Sequence, residues 1–123
     1  MKGVIRTERA PAPLGPYSQA RVAGGILYVA GQGPLSLEGQ VQGETFEDQA
    51  RATLDNLKAI VEAAGGSLSE VVKVNVYLAD MNDWPRFNHV YLEYFQEPFP
   101  ARTAVQAGLL GIMVEVDAIA HLP

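Results

Sequence analysis

An α+β domain of roughly six strands and two helices, in the order β-β-β-α-β-α-β-β, is what this sequence predicts. Three observations lead there. Short apolar runs such as Ile26-Leu27-Tyr28-Val29-Ala30 sit between Gly- and Pro-bearing turns, as strands do. At Phe46 the apolar period changes from two to that of a helix, and a second helical stripe of aromatics begins at Trp84. The 123 residues suffice for one domain, residues 1–123, with a core that needs neither metal nor disulfide staple.

Residues 3–6 read as a short strand. Three prolines and a glycine in Ala10-Pro11-Ala12-Pro13-Leu14-Gly15-Pro16-Tyr17 forbid helix and ladder alike, so this is a loop that delivers Tyr17. Whether Tyr17 serves a ligand or covers a core edge is open on pattern alone. Strands over Ser18 to Val22 and Ile26 to Ala30 flank Gly24-Gly25 as a hairpin. The second is expected to end in a turn, Gly31-Gln32-Gly33-Pro34, where bare backbone at Gly31 could approach a ligand or a neighbouring chain. No Lys-Ser/Thr follows, so it is not a phosphate loop. Residues 35–44 form a polar excursion.

Phe46, Ala50, Leu54, Leu57, Val61 and Ala64 then make one helical stripe, with Thr45 as N-cap and Gly65-Gly66 as the stop. Val71 to Leu78 alternates, which puts Val72, Val74, Val76 and Leu78 on one face and Lys73, Asn75 and Tyr77 on the other. Asp83 is expected to cap the second helix, with Pro85 in its first turn. Trp84, Phe87, Tyr91, Tyr94 and Phe95 read as core packing rather than a cofactor box. The last strands are the Arg102 run and Met113 to Ala120. Two helices cover one face of such a sheet, yet several strands are apolar on both sides, so a second copy of the chain is expected on the open face.

A net charge of -5, from nine Lys plus Arg against fourteen Asp plus Glu, argues against nucleic-acid and anionic-membrane binding. No run approaches a membrane span, and no apolar segment follows the charged N-terminus as in a signal peptide, so a cytoplasmic location is expected. With no cysteine there are no thiolate metal sites and no cysteine nucleophile. His89 and His121 lack metal-ligand spacing, and the serines lack a nucleophile elbow.

What remains is an arginine, carboxylates, backbone and water, a set that fits hydrolysis of an already electrophilic substrate. Arg102 follows Pro98-Phe99-Pro100 at the start of a strand that turns Arg102, Ala104 and Gln106 to one face. Small Ala104 would leave room for a planar anion at the guanidinium, although pairing with a nearby Asp or Glu would equally explain Arg102. Glu115 and Asp117 share one strand face, either as interacting acids or as the solvated face of an edge strand.

Six segments in order resemble the Rid family, the reactive intermediate deaminases also called YjgF. They are Ala12 to Ala20; Gly31-Gln32-Gly33-Pro34; Val71 to Leu78 with Asp80-Met81; Asn88 with Tyr91; Pro100-Ala101-Arg102-Thr103; and Val114 to Ala120. The resemblance spans essentially the whole chain. It implies a chorismate-mutase-like subunit with a mixed sheet, assembled as a homotrimer with sites between subunits. The implied activity is hydrolysis of 2-imino acids, released by pyridoxal-phosphate-dependent dehydratases, to 2-oxo acids and ammonia, with no cofactor or metal.

In that likeness Arg102 would clamp the substrate carboxylate and Glu115 would position or deprotonate the attacking water. Tyr17 would line the pocket from an adjoining subunit, backbone at Gly31 and Ala104 would bracket the imine, and Asn88 would support the wall. Ala104 stands where deaminases of this family commonly carry Cys or Val. Gly108-Leu109-Leu110-Gly111 also lacks their Leu-Pro pair. The competing expectations are a non-catalytic trimer that binds 2-oxo acids at Arg102 in a regulatory role and, less favoured by the charge, a ribonuclease.

Overall fold

The computed structural model describes residues 2–123. Six strands form one sheet in the order β1-β2-β3-β6-β4-β5, comprising β1 (Val4–Ile5), β2 (Ala20–Ala23), β3 (Ile26–Gln32), β4 (Val71–Leu78), β5 (Ala101–Gln106) and β6 (Val114–His121). Every pairing is antiparallel except β4 with β5, so the sheet is mixed. Two helices, α1 (Phe46–Ala63) and α2 (Trp84–Tyr91), pack on one face. The element order is the one the sequence predicts.

The β2–β3 hairpin closes at Gly24 and Gly25, both at positive φ (57° and 77°), the left-handed pair a tight two-residue turn requires. Strand β3 runs further than expected: Gly31 and Gln32 belong to it, and only Gly33 and Pro34 leave the ladder. Its register against β6 is irregular between Val29 and Gln32, so one strand carries extra backbone where Gly31 lies.

Helix α1 starts as its sequence directs, with Asp48 N–H donating to Thr45 Oγ1 at 3.1 Å. Its stripe is buried from Phe46 through Val61 and meets Leu27, Val74, Val76, Leu78, Val114 and Val116 of the sheet. In β4 the expected alternation fails at its start. Val71, not Val72, enters the core, and Val72 is 51% exposed. A bulge between Val71 and Lys73 against β6 resets the pleat by one residue.

Asp83 does not cap α2 with its side chain, because it pairs with Arg86 one turn on. Asp80 caps instead, accepting from Asn82 N–H at 2.9 Å to start a short 3₁₀ turn (Met81–Asp83) that leads into the helix. The aromatic stripe outlasts α2, since Phe95 N–H still donates to Tyr91 O. Tyr91 and Phe95 stack with centroids 4.4 Å apart, while Phe46 meets Phe87 edge-on at 6.5 Å.

The face away from the helices holds Tyr28, Tyr77, Val105 and Ile119 beside Glu115 and Asp117, uncovered within the chain. No helix is long and apolar enough to cross a membrane.

Leu54, fully buried on the α1 stripe, tests the core. Leu54→Ala should cost about 2–5 kcal/mol in chemical denaturation. Thr45→Ala, which removes one capping bond, should cost about 1 kcal/mol. Comparable losses for the two would contradict the burial described.

Candidate functional site

Arg102 enters at the edge of the sheet. It faces the same side as its register partner Val74, which is the helix side. There its guanidinium carbon lies 4.7 Å from the Tyr91 ring centroid, 5.0 Å from Trp84 and 5.7 Å from Phe87. Aromatic faces attract a cation and cover its flat sides, leaving the N–H edge for hydrogen bonds. One edge is used: Nη2 donates to Asn88 Oδ1 at 2.6 Å. Among the described residues no carboxylate pairs with Arg102, unlike Arg9, Arg51 and Arg86. Within the chain, pairing with a nearby Asp or Glu therefore does not explain Arg102.

A cleft of about 450 Å³ opens beside the guanidinium, lined by Trp84, Asn88, Tyr91, Leu92, Phe99 and Pro100. Burial pushes the Tyr91 hydroxyl up to about 12 against the opposing pull of Arg102, so it stays protonated. That hydroxyl is buried without a hydrogen-bond partner among the described residues. Ala104 shares the face of Arg102 but packs against the core and does not line the cleft. Space for a ligand opens on the Phe99–Pro100 side of the guanidinium instead. The Ala104 backbone remains available. Ala107 N–H donates to Leu78 O, so alternation turns the N–H groups of Arg102 and Ala104 to the free edge of β5.

Glu115 and Asp117 lie on the opposite face. Strand β6 is central rather than an edge, between β3 and β4, which overturns the edge-strand reading of this acidic pair. Glu115 is half-buried. Burial first, and the neighbouring Asp117 second, raise its carboxyl above the ordinary glutamate range. Its carboxylate lies over Gly31: a Cβ built there would sit 2.5 Å from Glu115 Oε2. A side chain at 31 would therefore displace the Glu115 carboxylate, although the backbone conformation there would admit one. Asp117 is held on both oxygens, by Asn75 Nδ2 and by the Tyr77 hydroxyl, each at 2.8 Å.

Tyr17 comes to the same end of the sheet. Its loop is organised by buried Gln19, whose amide accepts from Thr7 N–H at 2.8 Å and donates to the Pro11 carbonyl at 2.9 Å. Tyr17 is 51% exposed and shares a small cavity with Gly31, Gln32 and Leu35. Buried Asn56 anchors the next loop by donating to the Gly33 and Leu35 carbonyls at 2.9 and 3.0 Å.

Of the residues singled out in the sequence, Arg102 and Asn88 meet on the helix side and Glu115 lies over Gly31 on the other, while Tyr17 shares only a cavity with Gly31. One chain does not bring Arg102 and Glu115 together. Pattern reading missed Trp84 as a wall of the Arg102 cleft and Gln19 as the anchor of the Tyr17 loop. Trp84 carried a signal, being the stripe member at the helix's first turn, where core packing is thin. His89 and His121 are both exposed. No group of three His, Cys, Asp or Glu among the described residues could hold a metal.

Known proteins share this arrangement of chain. Residues 7–122 match the family described as Endoribonuclease L-PSP. A RutC family protein of Pyrococcus horikoshii is 52% identical over 98% of each chain. A 2-iminobutanoate/2-iminopropanoate deaminase of Dermatophagoides farinae is 40% identical over 96% of this chain and 94% of its own. The crystal structure of Escherichia coli TdcF with bound serine superposes with a TM-score of 0.91 at 38% identity, covering 99% of this chain and 100% of that one. With the motifs in order along the sequence and the same fold around them, the chain belongs to the endoribonuclease L-PSP family, the Rid (YjgF) family, whose members include reactive intermediate deaminases.

Proposed function

We propose that this protein is a 2-iminobutanoate/2-iminopropanoate deaminase, acting on 2-imino acids at sites formed between subunits of a homotrimer. The observation that carries this reading is the separation of two complementary half-sites on opposite faces of one sheet. An arginine with an aromatic back and a free N–H edge suits a carboxylate, and a half-buried carboxyl with raised proton affinity suits water activation. Each half is incomplete alone. A neighbouring copy on the open face would bring its own Arg102 to Glu115. The relative named for this activity and the neighbour with bound serine, an amino acid with an α-carboxylate, support the same substrate class.

The chemistry is modest. Arg102, held by Asn88, fixes the substrate carboxylate, and the free backbone edge at Ala104 faces the imine end. Glu115 takes a proton from water as its oxygen bonds to the iminium carbon. Glu115 returns that proton to nitrogen and takes the carbinolamine's hydroxyl proton as the C–N bond breaks, so that 2-oxo acid and ammonia leave. Proton transfers alone accomplish this, with no change in oxidation state. Tyr17 from the adjoining loop would close the pocket. A nucleic-acid substrate is disfavoured, because Arg9, Arg51 and Arg86 are engaged in ion pairs and the chain carries net charge -5.

Ammonia release from 2-aminoacrylate, generated in place by a serine dehydratase, tests this directly. Glu115→Ala should lower turnover on the order of 10²- to 10⁴-fold while leaving carboxylate binding intact. Arg102→Ala should lower kcat/KM by about 10²-fold or more. Retained carboxylate binding with no wild-type acceleration would instead favour the regulatory 2-oxo acid binder.

Co-assembling the Arg102→Ala and Glu115→Ala chains should restore activity at about a quarter of the sites, since one neighbour then supplies Arg102 and the other Glu115. No recovery in verified mixed assemblies would overturn a shared site. Gly31→Ala should displace the Glu115 carboxylate and reduce turnover while leaving the fold's circular dichroism unchanged. Full activity in that variant would contradict the role assigned to Glu115.

A further inference from the structure

Two carboxylates on the open face of β6 are treated very differently by their surroundings. Asp117 is clamped: Asn75 donates to Oδ1 and Tyr77 to Oδ2. Both donors project from β4 in register, Asn75 opposite Asp117 and Tyr77 opposite Glu115. The Tyr77 hydroxyl thus reaches past its own partner to the neighbouring acid. Glu115 receives no hydrogen bond from any described residue, although it is half-buried and Gly31 leaves it room.

We propose that Asp117 is a positioning residue for the reaction, a fixed anion pinned by Asn75 and Tyr77 that leaves the neighbouring Glu115 as the member of the pair that holds and releases a proton. The proposal rests on the reading of Glu115 as the group that activates water.

The two donors fix the Asp117 carboxylate in place beside Glu115. A like charge nearby then disfavours ionisation of Glu115, which has no donor of its own. The raised Glu115 carboxyl, with Asp117 among its causes after burial, follows the same direction. Tyr77 keeps its proton, held first by the bond to Asp117.

Other titratable groups near Glu115 are few. From β4 come Tyr77 and, further along, Lys73, which is engaged with Thr103 Oγ1 at 2.9 Å. Tyr28 lies on the same sheet face but opposite Ile119, Tyr17 shares a cavity with Gly31, and His121 lies at the far end of β6. In an assembled site, Arg102 of a neighbouring subunit would favour the charged form, so the clamp sets Glu115 against that pull. A general base works best when its proton affinity lies near the working pH, which an unassisted glutamate beside an arginine would not reach.

Asp117→Asn tests this with little disturbance. Its amide oxygen still accepts from Asn75, and its amide nitrogen can donate to the Tyr77 hydroxyl, so only the charge is removed. The Glu115 carboxyl of the full chain is titrated by carbon-13 NMR, in wild type and variant, alongside the pH profile of kcat/KM for imine hydrolysis. The expected result is a Glu115 midpoint moved to lower pH in Asp117→Asn, with the acid limb of activity moving the same way. Tyr77→Phe, which keeps the charge but frees one Asp117 oxygen so that the carboxylate can swing away from Glu115, should move the midpoint in the same direction.

A midpoint unmoved in folded Asp117→Asn overturns the proposal. If that variant does not fold, an unmoved midpoint in Tyr77→Phe overturns it equally. The NMR readout is independent of turnover. A shifted midpoint in a protein that hydrolyses no imine would support the coupling and sink the deaminase reading alone. Activity with an unmoved midpoint would do the reverse.

Discussion

Side chains on a strand alternate between the two faces of its sheet, and in this protein only one face is covered by helices. Everything functional follows from that pair of constraints. Arg102 shares a face with Val74 and is drawn to the helix layer, while Glu115 shares a face with Tyr77 and looks away from it. Strand β4 separates the two. No rotamer change can bring a side chain through the sheet, so a reaction that uses both residues needs a second chain. The open sheet face and the separation of Arg102 from Glu115 are two consequences of one geometry.

Aromatic packing serves two purposes on the covered face. Phe46, Phe87, Tyr91 and Phe95 form a continuous aromatic path that ties α2 and the turns after it to α1. Two of these rings, Phe87 and Tyr91, back the guanidinium of Arg102 together with Trp84. A positive charge is thereby kept beside the core without a carboxylate partner, and its hydrogen-bonding edge stays free for an incoming anion. An acidic partner would have satisfied Arg102 and closed it to substrate. Cation–π contact orients it and leaves it available. On the other face the logic is complementary: a donor clamp secures Asp117, and Glu115 is left without one.

Buried amides do the quieter work of holding loops. Gln19, Gln49 and Asn56 each donate to loop carbonyls that would otherwise be stranded near the core. Gln49 also accepts from Met113 N–H at 2.9 Å, fixing the entry to β6. These bonds place the Tyr17 loop, the turn after Gly33 and the start of the Glu115 strand. Loss of any one would leave buried backbone groups unpaired close to functional residues.

Pattern alone leaves Arg102 and Glu115 open and only the family resemblance singles them out, whereas the sequence by itself determined the order of elements, the Thr45 cap, the α1 stripe and the Gly24-Gly25 hairpin. Those features are local: they depend on residues a few positions apart and on the two periods of backbone geometry. Tertiary structure decided the rest. Val71 replaced Val72 in the core because a bulge forms only when β4 meets β6. Asp83 gave up its cap to pair with Arg86, and β3 ran on through Gln32 beside β6. Gly31 could be explained only when Glu115, 84 positions later in the chain, was found lying over it. A sequence pattern states which face a side chain takes within its own strand. Which strands become neighbours, and which faces are covered, are set by contacts between residues distant in the chain, and those contacts placed Arg102 and Glu115 on opposite sides of one sheet.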